Sequence, residues 1–212
     1  FLSEYDPATR EKRGVYYTPE PVVRYIVRSV HELLKTHFDM NDGLASKEVT
    51  VLDPAGGTLT FPAEAIKLAV NEYKEKYGEG GVNKLVSEHI LKNFYAFELM
   101  MAPYAIGHIK ISFLLEELGY SMKEDERFKL YLTNTLDMDD LSQTQIPTLE
   151  SLSEESHAAG QVKKNEPILV IMGNPPYSGI SLNPSEKEVT ITKSRKVKKK
   201  NIGPDNLRNL ER

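Results

Sequence analysis

Cysteine is absent from this chain. Disulfides and cysteine-ligated metals are therefore excluded. No apolar run approaches the roughly 20 residues needed to span a bilayer. The five histidines, His31, His37, His89, His108 and His157, are scattered; no two stand at His-x-x-x-His spacing, so no metal site is expected. Phe1-Leu2-Ser3-Glu4-Tyr5-Asp6 lacks the charged and apolar regions of a signal peptide, and a cytoplasmic protein is the expectation. There is no internal repeat. An excess of positive charge is also missing. Lys and Arg number 27 against 31 Asp and Glu, a net charge of −4. That argues against a small free-standing nucleic-acid binder. It leaves room for a catalytic module whose grip on DNA lies elsewhere. The one basic run, Lys193-Ser194-Arg195-Lys196-Val197-Lys198-Lys199-Lys200, is either a solvated tail or a phosphate-contacting segment.

What is present suffices for one domain with a real core: 212 residues of ordinary apolar content. Thr18-Pro19 reads as a helix start, with Thr18 the N-cap, and apolar spacing carries the helix to about Phe38. Val49–Asp53 reads as a strand, and residues 61–77 as an amphipathic helix. A second helix is predicted over 82–92, a strand over Phe94–Glu98, a helix over 102–118 and a strand at Leu130-Tyr131-Leu132. Residues 137–166 are polar and acidic, a connector with one surface helix around 149–163. Ile168-Leu169-Val170-Ile171-Met172 reads as a buried parallel strand. Beyond Tyr177 the pattern fades. Strands alternating with helices predict a parallel sheet with right-handed crossovers. Four strands make an unfinished sheet for this class, so the fold is expected to be incomplete at the C-terminus.

Asn174-Pro175-Pro176-Tyr177, after Gly173, is the most informative segment. A Pro-Pro pair cannot continue a strand, so the chain turns out of the sheet at its carboxyl edge, where open α/β folds bind ligands. The amide oxygen of Asn174 and the carbonyl of Pro175 can each accept from an exocyclic amine. The Tyr177 ring can stack on a flat base. At the first strand-to-helix turn, Asp53-Pro54-Ala55-Gly56-Gly57-Thr58 lets the backbone approach a ligand. The following helix N-terminus suits an anion, and Asp53 suits a cation. The spacing is neither Gly-x-Gly-x-x-Gly nor a phosphate loop ending Gly-Lys-Ser/Thr. Glu98 ends the second strand, either as a ribose-binding acid or as a helix-cap acid. Asn134 follows the third strand, as an adenine contact or an ordinary turn residue. Tyr16-Tyr17-Thr18-Pro19 either packs on a bound ligand or staples the helix. Together these sites lie at the carboxyl ends of successive strands plus one helix N-terminus.

In this order the motifs resemble the gamma-class S-adenosylmethionine-dependent adenine DNA methyltransferases. Lys12-Arg13-Gly14-Val15-Tyr16-Tyr17-Thr18-Pro19-Glu20-Pro21-Val22-Val23 is most similar to the methylase part of type ISP restriction–modification enzymes. The resemblance runs from about Tyr5 to Gly179. It implies a Rossmann-like class I methyltransferase fold, a mostly parallel sheet with helices on both faces, over residues 1–180, with 181–212 a flexible or partial continuation. It implies that Tyr16, Tyr17 and Thr18 touch the methionine portion of the cofactor, and that Asp53, Ala55 and Gly57 form its loop. Glu98 is implied as the ribose acid and Asn134 as the neighbour of the cofactor adenine, with Asp137 a weaker substitute. Asn174, Pro175, Pro176 and Tyr177 are implied as the catalytic loop. The family loop reads Gly-x-Gly; here Leu59 replaces the second glycine, its side chain either crowding the cofactor or entering the helix–sheet interface.

The activity implied is methyl transfer to the N6 amine of adenine in double-stranded DNA, with the base flipped out. With no cysteine, the covalent route to cytosine ring carbons is excluded, leaving direct in-line displacement. The partners implied are target-recognition, nuclease and helicase domains outside the residues that carry the resemblance. Transfer to RNA or protein glutamine, which also present a planar amine or amide, is the rival enzymatic reading. A degenerate, non-catalytic DNA-binding module is the other.

Overall fold

The computed structural model describes residues 18–136 and 150–176. Four strands form one parallel sheet: β1 (Val51–Asp53), β2 (Phe94–Glu98), β3 (Lys129–Leu132) and β4 (Val170–Ile171), in the spatial order β3-β2-β1-β4. Val51 is in register with Phe94 on one side and Val170 on the other, and Glu98 with Leu132. The strand order reverses at β1, and the crevice between the carboxyl ends of β1 and β4 is the switch point where such sheets take ligands.

Six α-helices accompany the strands among the described residues: α1 (Glu20–His37), α2 (Thr60–Tyr77), α3 (Val82–Leu85), α4 (Leu91–Asn93), α5 (Met101–Glu117) and α6 (Glu150–Asn165). A π-helical turn, Val86–Ile90, joins α3 to α4. Helix α1 buries Val23, Val27, His31 and Leu34, spaced four, four and three apart, as one apolar stripe requires. Glu20 in its first turn and Lys35 and His37 in its last complement the helix dipole.

The period-2 alternation of the strands divides the core. Val51, Phe94, Ala96, Leu130 and Val170 face α1, α2 and α5. Tyr95, Phe97 and Tyr131 face the other way, onto Ala159 and Val162 of α6. The sheet is therefore covered by helices on both faces, as the resemblance implies. Two expectations need correction. The helix expected around 149–163 is present over 150–165 with an exposed outer side, but it is no mere part of a connector: Ala159 and Val162 are buried, and α6 is the cover of the second face. The run 168–172 is not a fully buried strand. Val170 and Met172 are buried, but Ile171 is 66% exposed, because among the described residues β4 pairs only with β1.

Candidate active site

Four segments leave the carboxyl ends of the four strands, and hydrogen bonds tie them together. After β1, Asp53 turns back on its own loop, and its Oδ1 accepts from Ala55 N–H at 3.0 Å. Gly56 N–H donates to Phe97 O at 2.8 Å. Gly57 N–H donates to Glu98 Oε2 at 2.8 Å, while Glu98 Oε1 accepts from Met100 N–H at 2.7 Å. Glu98 thus holds the glycine loop and the start of α5 at once. Gly57 has φ +53, and among the described residues nothing lies within 4 Å of where a Cβ would stand.

Asp53 is 1% exposed. Burial, reinforced by the charge of Glu98 and opposed by the Ala55 hydrogen bond, pushes its carboxyl up to about 7. The close fit extends to β4. A Cβ on Gly173 would collide with Asp53 Oδ1 and stand 3.2 Å from Asp53 Cγ and 3.3 Å from Pro54 Cδ. Gly173 lets the segment carrying Asn174 pass directly over the β1 carboxylate.

After β3, Asn134 Oδ1 accepts from Leu136 N–H at 3.2 Å, the turn role that was one of its two readings. Thr135 donates through its hydroxyl to Pro54 O, joining this turn to the β1 loop. The local sequence does not announce Lys163 of α6. Its Nζ donates to Thr133 Oγ1 at 2.9 Å and to Asn134 O at 2.8 Å, and it lies 5.3 Å from the Phe97 ring centroid. Its one sequence signal is position: a lysine in the last turn of a helix, one residue past the buried Val162.

Thr18 is not the N-cap that the local pattern suggests. Pro19 occupies that place with no side-chain cap bond. The Pro19 carbonyl takes the N–H groups of Val22 and Val23, at 3.0 and 3.2 Å. The Thr18 hydroxyl instead accepts from Asn174 Nδ2 at 2.9 Å. Pro175 and Pro176 are exposed beyond it. Tyr16, Tyr17, Asp137 and Tyr177 lie outside the described residues. The site residues that are described, Thr18, Asp53, Ala55, Gly57, Glu98, Asn134, Asn174, Pro175 and Pro176, all stand at the strand ends or beside them.

Leu59, the departure from the glycine pattern, has φ 59 and ψ 47 and is 0% exposed. Its side chain belongs to the core between sheet and helices. Of the two readings open for it, the helix–sheet interface is the one observed.

His31, Glu32 and Glu72 also lie close enough to share a cation. That charge is already supplied by Lys35, 3.0 Å from Glu72 and 3.5 Å from Glu32. His31 Nδ1 accepts from Leu44 N–H, so its Nε2 faces Glu72 as a donor. Among the described residues no helix is long and apolar enough to cross a membrane.

Residues 1–211 match the family model of the N-6 DNA methylases. The structure is similar to the type ISP restriction-modification enzyme LlaBIII bound to DNA, at 29% identity and TM-score 0.67 over 91% of this chain. It is similar also to a nuclease-deletion mutant of the type ISP enzyme LlaGI in complex with a DNA substrate mimic, at 28% identity and TM-score 0.65 over 81% of this chain. The DrdV–DNA complex matches at 28% identity and TM-score 0.64 over 94% of this chain. The chain spans 13% of the LlaBIII and LlaGI chains and 18% of the DrdV chain. No curated protein matches it.

Proposed function

The chain belongs to the N-6 DNA methylase family, and from that premise we propose that it transfers a methyl group from S-adenosylmethionine to the N6 amine of an adenine flipped out of double-stranded DNA. It does so as part of a restriction–modification enzyme, beside target-recognition, nuclease and helicase domains. The observation that carries the reading is the placement of Asn174 at the switch point, over the Asp53 loop and next to Thr18.

The site fits the methyl donor. Asp53 and Glu98 bring carboxyls to the ends of β1 and β2, and in this reading they meet an ammonium, which favours the ionised form of Asp53, and a ribose diol. Among the described residues nothing crowds the loop at Gly57. Leu59 points into the core, which supports a working cofactor loop over a degenerate one. In this reading Tyr16 and Tyr17 flank the methionine portion, Ala55 and Gly57 line the loop, and Asn134 lies beside the cofactor adenine. S-adenosylmethionine supplies a methyl group activated by its sulfonium.

The chain's own part is to hold the amine. Asn174 Oδ1 and the Pro175 carbonyl accept the two N6 hydrogens. Their pull favours a tetrahedral nitrogen and turns its lone pair toward the methyl carbon. Pro175 and Pro176 fix the backbone so that the acceptors do not reorganise. Tyr177 stacks on the flipped base. A labelled-methyl assay on DNA with the Asn174→Ala variant tests the reading. The expected result is loss of transfer with cofactor binding retained. Full activity would falsify it, and transfer to RNA or protein with none to DNA would redirect the substrate assignment.

A further inference from the structure

The hydroxyl of Thr18 and the amide of Asn174 are 156 residues apart in sequence and 2.9 Å apart in space. Nothing in the local chain calls for this contact. A Thr-Pro pair ahead of a helix normally spends the threonine hydroxyl on the first-turn N–H groups. Here the Pro19 carbonyl takes the N–H groups of Val22 and Val23, and α1 has no side-chain cap. The Thr18 hydroxyl is turned to the β4 exit instead.

The setting is rigid on the threonine side. A residue before proline is confined to extended backbone, and Pro19 is itself fixed at φ −56. A β-branched side chain has few χ1 choices. Helix α1, which follows directly, is anchored in the core through Val23 and Val27. The asparagine side is soft by comparison, because the terminal torsion of an amide is broad and roughly two-fold. The chemistry tolerates only one of its two settings. To accept from a substrate amine the amide must present Oδ1; turned over, it sets NH2 against NH2 and no hydrogen bond forms. A bond from Nδ2 to Thr18 places Oδ1 on the opposite side of the amide from Thr18.

We propose that Thr18 is a positioning residue for Asn174. Its hydroxyl holds the amide NH2 and thereby aims the amide oxygen at the substrate amine, so that the segment opening α1 and the segment leaving β4 act as one unit. The proposal rests on the assignment of Asn174 as the amine acceptor. It gives Thr18 a task distinct from touching the methionine portion of the cofactor. Binding and transfer should then respond differently when the hydroxyl is removed. Serine carries the same hydroxyl acceptor and is able to substitute for threonine, whereas valine keeps the shape and loses the acceptor.

The test uses the full-length protein and compares Thr18→Val, Thr18→Ser, Asn174→Ala and the Thr18→Val/Asn174→Ala pair. Single-turnover methyl transfer is measured at saturating cofactor and DNA, with calorimetric binding of S-adenosylmethionine alongside. Thr18→Val should slow the saturated step by about 10- to 100-fold, the scale expected for a misaimed reacting group. Its cofactor Kd should stay within about twofold, and Thr18→Ser should restore the rate to within about threefold. Adding Thr18→Val to Asn174→Ala should cost nothing further, because both remove the same interaction. A Thr18→Val variant with a weakened Kd and an unchanged saturated rate would make Thr18 a cofactor contact and overturn the proposal. Equal losses in Thr18→Val and Thr18→Ser would reduce the role to packing and overturn it too. Should Thr18→Val not fold, the same comparison is made between Thr18→Ser and Thr18→Ala, with the same outcomes deciding. Retained activity in Asn174→Ala alone would strike the function assignment rather than the pairing.

Discussion

Leu59 fills the space that Gly107 leaves in helix α5. A Cβ on Gly107 would stand 3.1 Å from Leu59 Cγ, 3.2 Å from Leu59 Cδ1 and 3.0 Å from Leu130 Cδ2. Leu59 takes this place from a left-handed backbone, at φ 59, which costs a leucine about 1–2 kcal/mol. Complete burial offsets that strain. The position that departs from the family's glycine pattern is thus matched by a glycine 48 residues later, on the helix that follows β2.

This pairing predicts a change of sign. In the native background, Gly107→Ala should destabilise the protein by about 1 kcal/mol, since overpacking of about 1–3 kcal/mol exceeds a helix-propensity gain of about 1 kcal/mol. With Leu59→Ala already present, the same substitution should stabilise by up to about 1 kcal/mol. Urea unfolding of the four members of the cycle measures it. Equal effects in both backgrounds would mean that the two residues do not share the space.

Leu59→Gly separates stability from cofactor binding. Removing a buried leucine costs about 2–5 kcal/mol, and relief of the left-handed strain returns about 1–2 kcal/mol. A net loss of about 2 kcal/mol is expected in urea unfolding. Because the side chain points into the core, the Kd for S-adenosylmethionine below the unfolding transition should be unchanged. A markedly tighter Kd would show that the leucine reaches the pocket after all.

The ends of β1 and β4 were legible because each apolar run is followed by a residue that cannot continue it: Pro54 after Asp53, Pro175 after Asn174. The second cover of the sheet was not. Helix α6 is mostly polar, and the apolar side chains described on its sheet face are the small or short Ala158, Ala159 and Val162, too few to show as a stripe. Lys163 shared that obscurity. Thr18 was misread for another reason. Its local pattern is a good cap, and the partner that displaces that role lies 156 residues away. Leu59 kept two readings open because its conformation depends on Gly107, which no local rule connects to it.

Gly173→Ala tests how closely the β4 exit lies on Asp53. The new methyl must displace either the carboxylate or the segment carrying Asn174, since its nearest neighbours are Asp53 and Pro54. Overpacking of about 1–3 kcal/mol is expected. A misplacement on the order of 1 Å at Asn174 would slow methyl transfer by about 100-fold. In an Asp53→Ala background the stability cost should largely vanish. A Gly173→Ala enzyme with native stability and rate would show that the approach is looser than the structure has it.

Asp53 makes the site sensitive to pH. Its folded-state carboxyl is raised from 3.8 to about 7, first by burial and then by the neighbouring charge of Glu98. Between about pH 4 and 7 the folded protein therefore holds a proton that the unfolded chain has released, and this group's contribution to stability falls as pH rises through that window. The maximum slope is about 1.4 kcal/mol per pH unit. Asp53→Asn keeps an acceptor for Ala55 N–H and removes the titration, so its stability should change less over the same window. Cofactor binding runs the other way. An ammonium brought to Asp53 favours the ionised form, so binding near pH 6 must expel a proton. Affinity for S-adenosylmethionine should rise toward pH 7 and then level off. Calorimetry at pH 6 in two buffers of different ionisation enthalpy reads the proton directly. A binding enthalpy that does not depend on the buffer, or an Asp53→Asn variant that keeps the pH dependence, would remove Asp53 from the cofactor's ammonium and leave it as the brace of its own loop.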